Sequence, residues 1–234
     1  MEKITQFLTK VVKEASLIIN KKPEIFEKDG KGDLVTTYDF EIEKFLTKKL
    51  NENYPKFDIL SEEFNSKSKV GKNYFTIDPI DGTVNFSNNI PLWGIQVACI
   101  KDDEIVSAVM YFSESDEMFY ADKSGAFCNG KKLKMQETPA NKNLAGLLNS
   151  KNTKFTSNTH HYRYLGCACA TFAWLLKNYF SSVFFTTKNI KQDWDYTPGA
   201  FIALQAGGKI AKFKNNYVIA ATQEIAEKVL EYGK

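Results

Sequence analysis

Residues 73 to 100 contain no lysine or arginine, yet within them the stretch YFTIDPIDGTVNF sets Asp78 and Asp81 three positions apart across a Pro-Ile step. An even scatter of the chain's 31 basic residues over 234 positions would place about four in a window of this length, the pattern of a solvated surface. Whatever fold the chain adopts must bring these two carboxylates a counter-charge other than a neighbouring lysine. Two aspartates facing one way repel unless one is protonated or a cation sits between them.

The rest of the chain supplies an ordinary globular frame. Apolar content of 43% and aromatic content of 14% exclude a disordered chain, and the length suits one large core or two tightly joined halves. The net charge of +3 is spread over scattered lysines with one arginine, Arg163, so no nucleic-acid partner is expected. The N-terminus lacks the pattern of a signal peptide, and no apolar run is long enough to span a bilayer, so a cytoplasmic protein is expected. Cys99, Cys128, Cys167 and Cys169 show no paired CxxC spacing and read as reduced thiols. His160 and His161 lie in a polar stretch, so a Ser-His-Asp machine is not expected.

Periodicity predicts amphipathic helices over residues 4–19 and 39–51, with the Gly- and Lys-rich loop EKDGKGDLVTTYD between them ending in an extended DLVTT. Short apolar runs at 57–60, 74–77, 93–100, 104–112 and 117–121, then an Asn129-Gly130 turn, read as a mostly antiparallel sheet. After a polar link, strands at 144–148, 182–187, 209–213 and 217–221 alternate with helices at 170–180, 198–206 and the C-terminal QEIAEKVLEY. The expectation is an α+β half over residues 1–138 carrying most of the acids, and an α/β half over 139–234.

Asp81-Gly82-Thr83 opens a short helix after a strand, and Pro79 stiffens the turn so that both carboxylates face one point. Asp81 as a simple helix cap is the commoner meaning of an Asp-Gly motif. The second carboxylate and the missing lysine favour a hard cation such as Mg²⁺, and Gly82 with Thr83 then offers backbone amides to an anion. Glu62-Glu63, directly after a strand, forms a second acidic pair. Asp195 precedes Thr197 and Pro198, which read as cap and first position of a helix. Alone, the Glu pair is solvated surface and Asp195 a first-turn helix acid.

Taken in order, GDLVTTYD, SEE, DPIDGTVNF, RYLGCACA and WDYTPGA resemble the inositol monophosphatase family of metal-dependent, lithium-sensitive phosphatases. The resemblance implies a layered αβαβα sandwich of two joined halves, sugar-phosphatase-like, with two to three Mg²⁺ per site. It implies that Glu62, Asp78 and the Ile80 carbonyl hold a first metal, that Asp78, Asp81 and Asp195 hold a second, and that Glu62 helps a third. It implies further that Gly82 and Thr83 would receive the phosphate, that Asp81 and Asp195 would also face the substrate, that Asp39 would bond Thr83 so that the pair orients the attacking water, and that Glu63 would assist as an outer base. The implied substrate is a small phosphorylated metabolite such as inositol monophosphate, and the family leads one to expect a homodimer.

The chain departs from the family at three points. Lys188 stands where many inositol-directed members carry an acid, followed by Lys191; a lysine suits a second phosphate, which favours a sugar bisphosphate (fructose-1,6-bisphosphatase activity) or a 3′(2′),5′-bisphosphate nucleotide, although a solvated loop lysine is an equal reading. Cys167 stands where serine is frequent, and Thr197 replaces a small apolar residue. A non-catalytic partner-binding protein on the same scaffold is the alternative from another class, disfavoured because a binding module has no reason to keep self-repelling acids.

Overall fold

The expected helical periodicity produces α1 (Lys3–Ser16), whose Leu8, Val11, Val12 and Ala15 are buried, and α2 (Thr37–Asn53), which buries Tyr38, Ile42, Leu46 and Leu50. Each fully buried Leu, Val or Ile contributes about 1.5–3 kcal/mol. A computed structural model of the chain describes residues 1–28, 33–138, 141–148 and 161–232. His160 and the expected boundary residue 139 lie outside these.

A seven-stranded sheet runs in simple chain order: β3 (Asp58–Ser61), β4 (Tyr74–Asp81), β5 (Gly94–Lys101), β6 (Glu104–Phe112), β7 (Glu117–Asp122), β8 (Gly125–Cys128) and β9 (Lys131–Lys132). Only β3 and β4 pair in parallel within it. Preceding it is the hairpin of β1 (Ile25–Lys28) and β2 (Asp33–Thr36). The C-terminal strands β10 (Leu144–Leu147), β11 (His161–Arg163), β12 (Ser182–Thr186), β13 (Lys209–Phe213) and β14 (Asn216–Ala220) make a second sheet in the order 11-10-12-14-13. The remaining helices are α3 (Thr83–Ser87), α4 (Ala168–Leu176), α5 (Thr197–Gln205) and α6 (Gln223–Tyr232).

Alternation of side chains along the strands sorts these elements into layers. Phe75, Ile77, Ile95, Val97, Cys99 and Val109 face α1 and α2, whereas Tyr74, Ala98, Ile100, Met110 and Phe112 face α4 and α5. Those two helices also receive Val183, Phe185, Tyr217 and Ile219 from the second sheet. The far face of that sheet, with Phe184, Val218 and Ala220, is covered by α6 through Ile225, Ala226 and Val229. The result is the five-layer αβαβα sandwich. Helix α4 is apolar all round because it is a middle layer.

Close packing of that layer rests on Gly199. A Cβ there would sit 2.2 Å from the ring of the buried Phe172, so α5 can approach α4 only without one. Gly199→Ala is expected to lower stability by about 1–3 kcal/mol through overpacking; an unchanged urea midpoint would show that the two helices have slack.

The strand over 74–77 proves longer than its apolar run. Strand β4 continues through the acids to Asp81, and all eight residues are buried. Strand β3 ends at Ser61 opposite Ile77, so the missing N–H of Pro79 lies beyond the last parallel pair. The sequence also leaves β1, β8, β9 and β11 unassigned, because each is only two to four residues long.

Candidate active site

In a regular strand, residues three apart point to opposite faces. Between Asp78 and Asp81 the β4 register shifts: Asp78 pairs with Gln96 and Asp81 with Gly94, so three steps on β4 oppose two on β5. This bulge changes the phase of the strand. Ile80 consequently packs into the α1/α2 core, while Asp81 turns with Asp78 toward the α4/α5 side. Both acids line one cavity of about 180 Å³, shared with Asp33, Glu62, Ile80, Gly82, Thr83 and Asp195.

Asp81 is not a cap of α3. Residue Gly82 holds that position in the left-handed region (φ 84°), and a Cβ there would lie 2.9 Å from both the Leu92 carbonyl oxygen and Cys167 Cβ. The Asp81 carboxylate reaches instead to the N-terminus of α4. Ala168 N donates to Oδ1 at 3.1 Å, and Oδ2 accepts from Cys169 N, from Gln96 Nε2 at 3.0 Å and from Cys167 Sγ at 3.2 Å. Cys167 also caps α4, its sulfur accepting from Ala170 N at 3.2 Å. Oδ2 is saturated, whereas Oδ1 keeps a lone pair for another partner.

Asp78 differs. Both its oxygens are buried without a hydrogen-bond donor, and the charged groups that act on it most strongly are Glu62, Asp81, Asp195 and Asp39, all acids. The carboxyl set against it is that of Asp195, which can share a bond with it only if one carries a proton. Burial first, and the surrounding acids second, push Asp78 and Asp195 well above the usual carboxylate range. No lysine or arginine among the described residues pairs with Asp78, Asp81 or Asp195.

Glu62 and Glu63 follow β3 in a turn that α2 holds from behind. The fully buried Glu43 carboxylate accepts from Ser61 Oγ, from Glu63 N at 2.8 Å and from Phe64 N at 2.8 Å. In front, Lys28 at the end of β1 places its Nζ 2.6 Å from Glu63 and 3.2 Å from Glu62. Burial pulls the Lys28 ammonium down, but the two carboxylates together raise it above its ordinary value. Glu63 is pushed up to about 7, chiefly by burial, and Glu62 is raised for the same reason against the pull of Lys28.

Asp39 has two tasks at once. One oxygen closes the capping box of α2, accepting from Thr36 N at 2.7 Å and Thr36 Oγ1 at 2.5 Å. The other lies 3.3 Å from Thr83 Oγ1, which is also 2.9 Å from the Ile80 carbonyl. Burial pushes Asp39 up to about 6 despite the bonds from Thr36.

The expected cap on α5 is corrected. Thr197 is the first helical residue, not the cap, and its hydroxyl donates backward to the Ile190 and Asp193 carbonyls. The segment is held by Asp193, whose carboxylate accepts from Thr187 Oγ1 at 2.5 Å and Tyr196 N at 3.3 Å. That leaves the Asp195 side chain to the cavity. Lys188 is exposed and lines neither this cavity nor the adjoining one of about 110 Å³ bounded by Leu148, Tyr164, Gly166 and Tyr196. Lys191 turns away to Glu104 at 3.1 Å.

The site therefore gathers Asp39, Glu62, Glu63, Asp78, Ile80, Asp81, Gly82, Thr83 and Asp195, and leaves Lys188 outside. Periodicity missed Lys28, Glu43, Asp193 and Gln96, which act on the acids from other elements. The donor set is all oxygen with excess negative charge, which fits a hard divalent cation. No group of three or more acid, histidine or cysteine side chains among the described residues is already arranged to hold a metal ion, and Lys28 holds one oxygen of Glu62.

Residues 1–232 match the sequence model of the inositol monophosphatase family. A Thermotoga maritima protein named fructose-1,6-bisphosphatase/inositol-1-monophosphatase is 30% identical over 196 residues, covering 80% of this chain and 74% of that one. An inositol monophosphatase of Dictyostelium discoideum is 37% identical over 147 residues, covering 57% of this chain and 54% of that protein. Among solved structures, the extragenic suppressor protein suhB of Bartonella henselae superposes with a TM-score of 0.83 at 22% identity, over 100% of this chain and 99% of the other, and so shares the fold.

Proposed function

The chain belongs to the inositol monophosphatase family, and from that premise we propose that it is a Mg²⁺-dependent phosphomonoester hydrolase acting on inositol monophosphate or a similar small phosphorylated metabolite. The observation that carries this reading is Asp78: a fully buried carboxylate with no donor on either oxygen, facing other acids in an open cavity, costs stability in its charged form unless a cation joins it. A partner-binding role gives no reason to keep that cost.

Glu62, Asp78, the Ile80 carbonyl, Asp81 and Asp195 would hold two to three Mg²⁺, which would supply neutralisation of the phosphate oxygens and acidification of the attacking water. The residues of the chain do the rest. With its proton directed to Asp39 Oδ1, the Thr83 hydroxyl offers its lone pairs to the water and passes on the proton it receives. The raised Asp39 is a competent acceptor for that proton near neutral pH. Gly82, without a side chain, lets the phosphate approach the main chain, and Glu63 stands behind as a second base paired to Lys28.

A bisphosphatase reading is supported by the name of the Thermotoga maritima relative. It does not rest on Lys188. Because that lysine lines neither cavity, Lys188→Ala is expected to leave the preference between inositol monophosphate and fructose 1,6-bisphosphate unchanged; a shift in the kcat/KM ratio would bring the lysine back to the substrate. Four free thiols fit a reducing, cytoplasmic setting, and a homodimer is the expected assembly.

The deciding experiment measures phosphate release from inositol monophosphate, fructose 1,6-bisphosphate and a 3′(2′),5′-bisphosphate nucleotide, with Mg²⁺ or with chelator, and with or without Li⁺. Mg²⁺-dependent release that Li⁺ suppresses is the expected result. No release from any of the three would overturn the assignment.

A further inference from the structure

Gln96 lies in the middle of β5, fully buried, on the face that meets α4 and α5. A primary amide in such a place has two N–H donors and an acceptor to satisfy. Here the nitrogen lies 3.0 Å from Asp81 Oδ2 and 3.2 Å from the main-chain oxygen of Asp195. One side chain thereby ties the β4 bulge to the segment that enters α5, 99 residues from Gln96 along the chain. Its own carbonyl oxygen is buried with no partner. A leucine would fill this space without an unsatisfied acceptor, so core packing alone does not account for a glutamine.

The backbone around it reinforces this role. Gln96 is the register partner of Asp78, directly beside the point where the bulge begins. The Asp81 carboxylate is already held on its other side by the amides of Ala168 and Cys169. Gln96 completes the set that fixes the carboxylate's rotation, directing the lone pair left on Oδ1, and it simultaneously fixes the main chain that carries the Asp195 side chain.

Resting on the proposed function, we infer that Gln96 is a positioning residue that sets the separation and orientation of Asp81 and Asp195, and so tunes the affinity of the site for a divalent cation. It touches neither substrate nor cation. Outer groups that orient metal-binding side chains typically change affinity by about 10–100-fold when replaced.

The test uses Gln96→Leu and Gln96→Met, both close in volume to glutamine and unable to donate. Titration calorimetry of the substrate-free, full-length proteins with MgCl₂ reads affinity independently of turnover, and near-ultraviolet circular dichroism reads the fold. The expected result is folded variants whose Mg²⁺ affinity falls by about tenfold or more, with a matching rise in the Mg²⁺ concentration for half-maximal phosphate release and a smaller change in the substrate KM. Folded variants that bind Mg²⁺ within about twofold of wild type would overturn the inference while leaving the function standing. Loss of folding in both variants would assign Gln96 to the core and overturn it too. A wild-type protein that binds no Mg²⁺ would remove the function and this inference together.

Discussion

Asp78→Asn is expected to abolish Mg²⁺-dependent phosphate release, with turnover down by at least about 10²–10³-fold, while the metal-free variant should melt at or above the temperature of the metal-free wild type. The two halves of this expectation have one cause. Burial and the fields of Glu62, Asp81, Asp195 and Asp39 all disfavour the charged Asp78, so in the absence of a cation the residue costs stability at neutral pH. Asparagine keeps the shape, removes the charge and can donate to Asp195. The sign is that of a carboxyl raised on folding: its destabilising effect is present above its ordinary pKa and fades as pH falls and the carboxyl takes up a proton. Added Mg²⁺ should then raise the melting temperature of wild type but not of the variant. Calorimetric melts with chelator and with Mg²⁺, beside phosphate-release assays, check both parts; wild-type-like turnover in the variant would sink the metal-site assignment.

Glu43→Ala should cost about 2–3 kcal/mol, since it strands the buried Ser61 hydroxyl and takes the acceptor from two part-buried backbone N–H groups. It should also weaken activation by Mg²⁺, because that turn carries Glu62 and Glu63 and three of its donors bond to Glu43. Glu43→Gln keeps the shape and one acceptor oxygen but opposes an NH₂ to at least one donor, so a smaller loss of about 1–2 kcal/mol is expected. Urea denaturation of both variants reads the order. A Glu43→Ala protein as stable as wild type would mean that solvent satisfies the three donors.

Much of the frame is legible from local pattern. Strands β6 and β13 and helix α6 fall on the residues that short apolar runs and helical spacing assign, because those signals are local to each segment. The acids of the site are legible for another reason: Asp78 and Asp81 stand in a stretch without cations, and no surface role explains that. Glu43 was invisible, since on α2 it looks like any helix acid, and only the turn folded over it makes it a buried acceptor. Lys28 sits on a short, mostly exposed strand with no apolar alternation to mark it. Thr197 misled because a threonine before a proline is a common cap, whereas here its hydroxyl is claimed by two carbonyls upstream.

By itself, the sequence determined the kind and order of the helices and the longer strands and which residues carry unbalanced charge, because both are properties of neighbours along the chain. Only the tertiary structure decided what those charges meet. The extra residue at the β4 bulge moves Ile80 into one core and Asp81 toward the other, and sheet register rather than local preference settles that phase. Asp81 then finds the amides of α4 at a separation of 87 residues, and Gln96 finds Asp195 at 99. Contacts across such distances follow from how the layers stack, and hydrophobic periodicity specifies that a face is buried without specifying which polar group waits on the other side.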